Sequence, residues 1–108
     1  MVLGPAVARA HAMLESAMPP VGSRVTSAPA ALTLSFSEAL EARFSTVRVT
    51  TASGSVVNGG PIRTDPADPR QLIVPLQKLD ADTYTVTWRA VSVDDHKTRG
   101  SYHFSVAP

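Results

Sequence analysis

Tyr84-Thr85-Val86-Thr87-Trp88-Arg89-Ala90 is the stretch that decides the fold. Every second residue is apolar, so Tyr84, Val86, Trp88 and Ala90 share one face of an extended strand and the hydroxyl and guanidinium groups share the other. That is the pattern of a sheet buried on one side. The same period recurs in Leu32-Thr33-Leu34-Ser35-Phe36-Ser37, in Thr46-Val47-Arg48-Val49-Thr50 and in the row Tyr102, Phe104, Val106. Leu72-Ile73-Val74 is shorter and stops at Pro75, which reads as an edge strand or a strand end. Pro19-Pro20-Val21-Gly22, Ser53-Gly54, Asn58-Gly59-Gly60-Pro61 and Asp65-Pro66-Ala67-Asp68-Pro69 supply turn chemistry between the runs. Thr64 to Arg70 reads as a long mobile loop, and Glu38 to Phe44 has room for one helical turn. About seven short strands in 108 residues predict an all-β, antiparallel β-sandwich or Greek-key barrel of immunoglobulin-like type.

Composition narrows the chemistry. The chain is one domain long. Ten basic and nine acidic residues are interspersed with no long run of like charge, which argues against a nucleic-acid or anionic-membrane surface. The chain contains no cysteine, and disulfides, zinc–thiolate sites, iron–sulfur clusters and thiol catalysis fall away together. No run of about 18 apolar residues occurs, so no membrane insertion is expected. Residues 1–10, MVLGPAVARA, end in Ala8-Arg9-Ala10 ahead of His11, and read as the remnant of a secretory signal peptide cut after Ala10. The folded domain is then 11–108.

With cysteine absent, the histidines are the strongest transition-metal ligands left. Asp94 and His96 lie two apart just after the longest strand, and in extended chain they project together while Asp95 points away. A carboxylate and an imidazole on one side form half of a square N,O donor set; D-x-H is equally the composition of a solvated polar loop. A cleaved His11 adds a free α-amine and an imidazole from one residue, and three nitrogens with one oxygen suit tetragonal Cu(II). His103 stands on the polar face of its strand and reads as a solvated residue, while Met13 and Met18 read as core.

The chain from His11 to Val106 resembles the CopC copper-resistance family, small periplasmic or secreted cupredoxin-like copper-binding sandwiches. The resemblance is carried by His11, Ser16 to Pro19, Gly22-Ser23, Leu34-Ser35-Phe36-Ser37-Glu38-Ala39-Leu40, Gly54, Thr83 to Ser92 with its W-R-A-V-S, Asp94-x-His96, Gly100 and Phe104-Ser105-Val106. It implies a Cu(II) carrier or chaperone in copper homeostasis or resistance rather than an enzyme. It also implies ligands at His11, Asp94 and His96, with Glu38 joining in some members, although Glu38 equally suits ending its strand or pairing with Arg43. The methionine-rich loop that builds a Cu(I) site in some members has no counterpart in Ser53–Arg70, which holds neither Met nor His. A CopD-type membrane copper transporter is the implied partner. A metal-free immunoglobulin-like interaction module and a histidine-brace copper oxidase are the competing readings.

Overall fold

The computed structural model describes residues 12–108. The expected cut after Ala10 and the candidate ligand His11 lie outside the described residues. Eight strands follow one another: β1 Leu14–Met18, β2 Arg24–Val25, β3 Ala31–Phe36, β4 Thr46–Thr50, β5 Arg63–Asp65, β6 Asp68–Pro75, β7 Asp82–Val91 and β8 Lys97–Val106. A 3-10 turn over Ala42–Phe44 is the one helical piece between them. The strands form two four-stranded sheets, ordered β1-β3-β6-β5 and β2-β8-β7-β4. All pairings are antiparallel except the two-residue β2, which runs parallel to the end of β8.

Between the sheets lie the rows that alternation predicts. Leu32, Leu34 and Phe36 of β3 and Leu72 and Val74 of β6 meet Val47, Val49, Tyr84, Val86, Trp88, Ala90, Tyr102, Phe104 and Val106 from the other sheet. At roughly 1.5–3 kcal/mol per large apolar side chain removed from water, these rows are the main favourable term in folding. Phe36 and Trp88 meet edge to face across the sandwich, centroids 5.1 Å apart, and Tyr84 stacks on Phe104 at 5.4 Å. The buried Tyr84 hydroxyl donates to the Asp80 carbonyl at 2.6 Å, pinning the turn into β7. Gly100 is opposite Trp88 in the β7–β8 register, and the indole lies across it. A Cβ there would sit 2.7 Å from Trp88 Cζ2, so only glycine admits the ring.

Four expectations need correction. Leu72-Ile73-Val74 is not at a sheet edge: β6 is paired on both sides, with β3 and with β5, and Pro75 marks only its end. The Thr64–Arg70 stretch is no long loop but a tight hairpin. Asp65 Oδ1 accepts from the Ala67 amide at 2.8 Å, and Asp68 Oδ1 from the Arg70 amide at 3.1 Å, so each carboxylate stiffens its own turn. This hairpin supplies the strand beyond seven. Met13 and Met18 are not core residues; they are 54% and 63% exposed. Ala17, paired with Leu34, is inward beside Met18, and a register shift between Leu14 and Ser16 puts Leu14 opposite the inward Phe36 and leaves Met13 outward. Fourth, the Asp94–His96 segment is a turn rather than extended chain, as described next. Among the described residues no helix is long and apolar enough to cross a membrane.

Candidate metal centre

β7 and β8 are paired residue for residue from Asp82–Val106 up to Val91–Lys97, and the loop that joins them is short. The Ser92 amide donates to the His96 carbonyl at 2.9 Å, leaving three residues, Val93, Asp94 and Asp95, to reverse the chain. The Asp95 amide closes a turn on the Ser92 carbonyl at 2.9 Å, and Asp95 takes the left-handed conformation at φ 69°. This is the three-residue hairpin loop, a β-turn followed by one left-handed residue. Asp tolerates that conformation better than most side chains. Asp94 and His96 therefore come together through loop geometry, not through strand alternation.

A second segment closes over the loop. Leu40 forms an antiparallel bridge with Ser92, the Val93 amide donates to the Ala39 carbonyl at 3.0 Å, and the Glu41 amide to the Val91 carbonyl at 2.9 Å. Counting back in that register puts Glu38 opposite Asp94. One donor atom each from Glu38, Asp94 and His96 then falls within 4.8 Å of the others. Opposed carboxylates repel in a sheet, and a cation between them removes the repulsion. Arg43 does not play that part: its guanidinium lies over the Phe44 ring, 4.7 Å from the centroid.

Ser92 is the keystone that alternation alone does not single out. It continues the inward parity of Trp88 and Ala90 and is 1% exposed, and a polar side chain at that parity is the signal the sequence offered. Its hydroxyl donates to Asp94 Oδ1 and accepts from the His96 amide at 3.1 Å. That hydrogen bond, with the nearby His96 ring and the Glu38 carboxyl adding to it, holds the Asp94 carboxyl below its ordinary range despite some opposing desolvation. Asp94 stays an anionic oxygen donor well into acid. His96 Nδ1 lies 3.2 Å from Asp94 Oδ2. Two donors at right angles on one first-row ion, each at about 2.0–2.2 Å, are separated by about 3 Å, so the pair already has the spacing of neighbouring ligands.

The first described residues run past the same place. The carbonyl of the fully buried Ala12 accepts from Thr98 Oγ1 at 2.6 Å. The Met13 amide donates to Ser37 Oγ at 2.8 Å, and the Ser37 amide returns to the Met13 carbonyl at 2.9 Å. Thr98 is two residues from His96 and Ser37 is next to Glu38, so the chain enters the fold beside the cluster. His103 is exposed on the outer face of β8, its Nδ1 3.3 Å from Thr85 Oγ1. Seven residues of strand, roughly 23 Å, separate it from His96.

Comparison with known proteins identifies the family. The CopC domain profile matches residues 14–107. Protein YobA of Escherichia coli K12 is 46% identical over 98 residues, 90% of this chain and 79% of that protein. Among solved structures, CopC from Methylosinus trichosporium OB3b superposes with a TM-score of 0.84 at 28% identity, covering 91% of this chain and 95% of that one. PcoC, a methionine-rich copper resistance protein from Escherichia coli, superposes with a TM-score of 0.79 at 37% identity, covering 90% and 99%. The domain match and both superpositions agree, and this chain belongs to the CopC family of copper-resistance proteins.

Proposed function

We propose that the protein is a Cu(II) carrier of the periplasm or the secreted space, with Asp94, His96 and His11 as ligands and Glu38 beside them. The observation that carries the reading is the convergence of carboxylate, carboxylate and imidazole donors within 4.8 Å. Oxygen and imidazole nitrogen are donors for Cu(II) rather than for Cu(I), which prefers thioethers and thiolates. His11 enters through its bond to Ala12, whose carbonyl is held by Thr98 two residues from His96. If processing ends at Ala10, the α-amine of His11 joins its imidazole, and three nitrogens and an oxygen complete a square set. Delivery to a CopD-type membrane transporter belongs to the same proposal, and no reaction is assigned to the site.

What the chain's own residues do is bind and orient. Ser92 fixes Asp94 against His96, the β7–β8 ladder fixes both, and the Thr98 hydroxyl holds the Ala12 carbonyl beside them. Protons compete with the metal for imidazole and amine, so affinity falls as the pH is lowered. Competitive Cu(II) titration and electron paramagnetic resonance test the reading on three proteins: the chain starting at His11, the chain as written, and His96→Ala of the first. The expected result is a type 2 signal and tight binding in the first, weaker binding in the second, and a changed signal in the third. No type 2 signal in the first protein removes the proposal in favour of a metal-free interaction module, and a signal indifferent to His96→Ala removes the assigned ligand set.

A further inference from the structure

Basic residues that are scattered singly in the sequence are gathered by strand register onto one face. Arg89 lies between the buried Trp88 and Ala90 and so points away from the core. Residues directly opposite in a sheet share a face. Arg99 and Thr46 flank Arg89, Arg48 is opposite Thr87, Lys97 opposite Val91, and Arg24 opposite Ser105. The outer face of the β2-β8-β7-β4 sheet thus carries Arg24, Arg48, Arg89, Lys97 and Arg99, and its strands place no carboxylate there. Among the described residues the ion pairs are Arg70–Asp68 and His96–Asp94, and none of these five cations takes part in either. Arg89 opposite Arg99 is a like-charge pair that works against the fold, and packing gives no reason for it.

The face is not flat. Phe44, Thr46, Arg89, Lys97 and Thr98 line a depression of about 330 Å³, with Asp95 of the metal loop at its rim. Phe44 is 58% exposed there, an aromatic wall beside two cations. A second hollow of about 450 Å³ lies between Arg89 and Arg99, edged by Thr87 and Ser101.

We propose that this face docks an acidic segment of another protein that carries one large apolar side chain. The apolar group fills the depression against Phe44, and carboxylates meet Arg89, Lys97 and Arg99. Guanidinium forks match carboxylates in two parallel hydrogen bonds, and the Thr46 and Thr87 hydroxyls, on the same outer face, give further polar partners. The concavity and its aromatic wall favour a protein segment over an anionic bilayer, which would present a plane. Because Lys97 follows His96, the bound segment lies next to the candidate metal loop. The proposal does not depend on whether that loop holds a metal.

The test uses the full chain, labelled with nitrogen-15 and free of metal, titrated with the peptide acetyl-Glu-Asp-Phe-Glu-Glu-Asp-amide. The expected result is saturable shifts at Phe44, Arg89, Lys97 and Thr98 that weaken as salt is raised. Affinity should fall about tenfold or more in Arg89→Ser/Lys97→Ser, and stay unchanged in Arg63→Ser on the other sheet. The same peptide with Gln and Asn for its acids should not bind. Absence of saturable shifts, shifts elsewhere, equal loss in Arg63→Ser, or binding of the neutral peptide overturns the proposal. So does sedimentation with phosphatidylcholine–phosphatidylglycerol vesicles while the acidic peptide leaves the spectrum unchanged. Circular dichroism of both variants establishes that they are folded.

Discussion

Replacing Ser92 by alanine removes one buried oxygen and touches stability, titration and metal affinity separately. The hydroxyl is the acceptor for the His96 amide, 3.1 Å away, and the donor to Asp94. Its site is 1% exposed, so water does not simply take its place. A buried donor left without its partner costs ~1–3 kcal/mol. The lower part of that range applies here, because the loop beyond it is open to solvent, giving about 1–2 kcal/mol. For a domain of this size that lowers Tm by roughly 4–10 °C. The lost bond to Asp94 registers in titration instead. Ser92 is the first cause of the depressed Asp94 pKa, so the alanine variant moves that carboxyl up toward its ordinary value of about 3.9. A depressed folded-state pKa contributes stability above the unfolded value and loses it as pH falls through the folded one. The variant therefore shows a shallower loss of stability in acid than the parent. Under the proposed Cu(II) site, affinity is expected to drop by about tenfold or more, as when groups that orient a ligand are removed. Thermal melts across the acid range and carbon-13 titration of the Asp94 carboxyl read these effects. A Tm within a degree of the parent together with an unmoved Asp94 titration would refute the assignment of Ser92 as the organiser of the loop.

Gly100→Ala forces a Cβ to 2.7 Å from Trp88 Cζ2 and is expected to cost ~1–3 kcal/mol through overpacking. Trp88 is the only tryptophan, so a shift in its fluorescence maximum checks that the ring has moved. Asp95→Gly is expected to be neutral or stabilising, and Asp95→Val to cost ~1–2 kcal/mol because a left-handed backbone crowds a branched side chain; urea melts distinguish them. Arg89→Thr, which ends the opposition to Arg99, is expected to stabilise by ~0.2–1 kcal/mol, read by the same melts.

The core was legible because one sheet face is buried and the period is two. Leu32, Leu34 and Phe36, Val47 and Val49, Tyr84 to Ala90, and Tyr102 to Val106 all point where alternation sends them. What escaped depends on pairing across the chain. Asp65-Pro66-Ala67-Asp68 has the composition of either a long loop or a tight turn, and only the β5–β6 pairing decides between them. Met13 and Met18 face solvent because β1 takes its register from β3 with an irregularity between Leu14 and Ser16, so that Leu14 and Ala17, not the methionines, lie opposite the inward Phe36 and Leu34. Glu38 was legible as a candidate, but its place opposite Asp94 follows from the Leu40–Ser92 bridge, a contact between distant segments. The D-x-H spacing marks Asp94 and His96 as a pair, but a hairpin loop with the single left-handed residue Asp95, rather than extended chain, is what brings them together.

The unbroken β7–β8 ladder has a consequence for how cargo would change hands. A slip of one residue would turn Trp88 to water and Arg89 into the sandwich, so the loop at its tip has no cheap way to rearrange. Under the proposed carrier role, release would proceed by ligand exchange at this fixed tip rather than by a change of strand register.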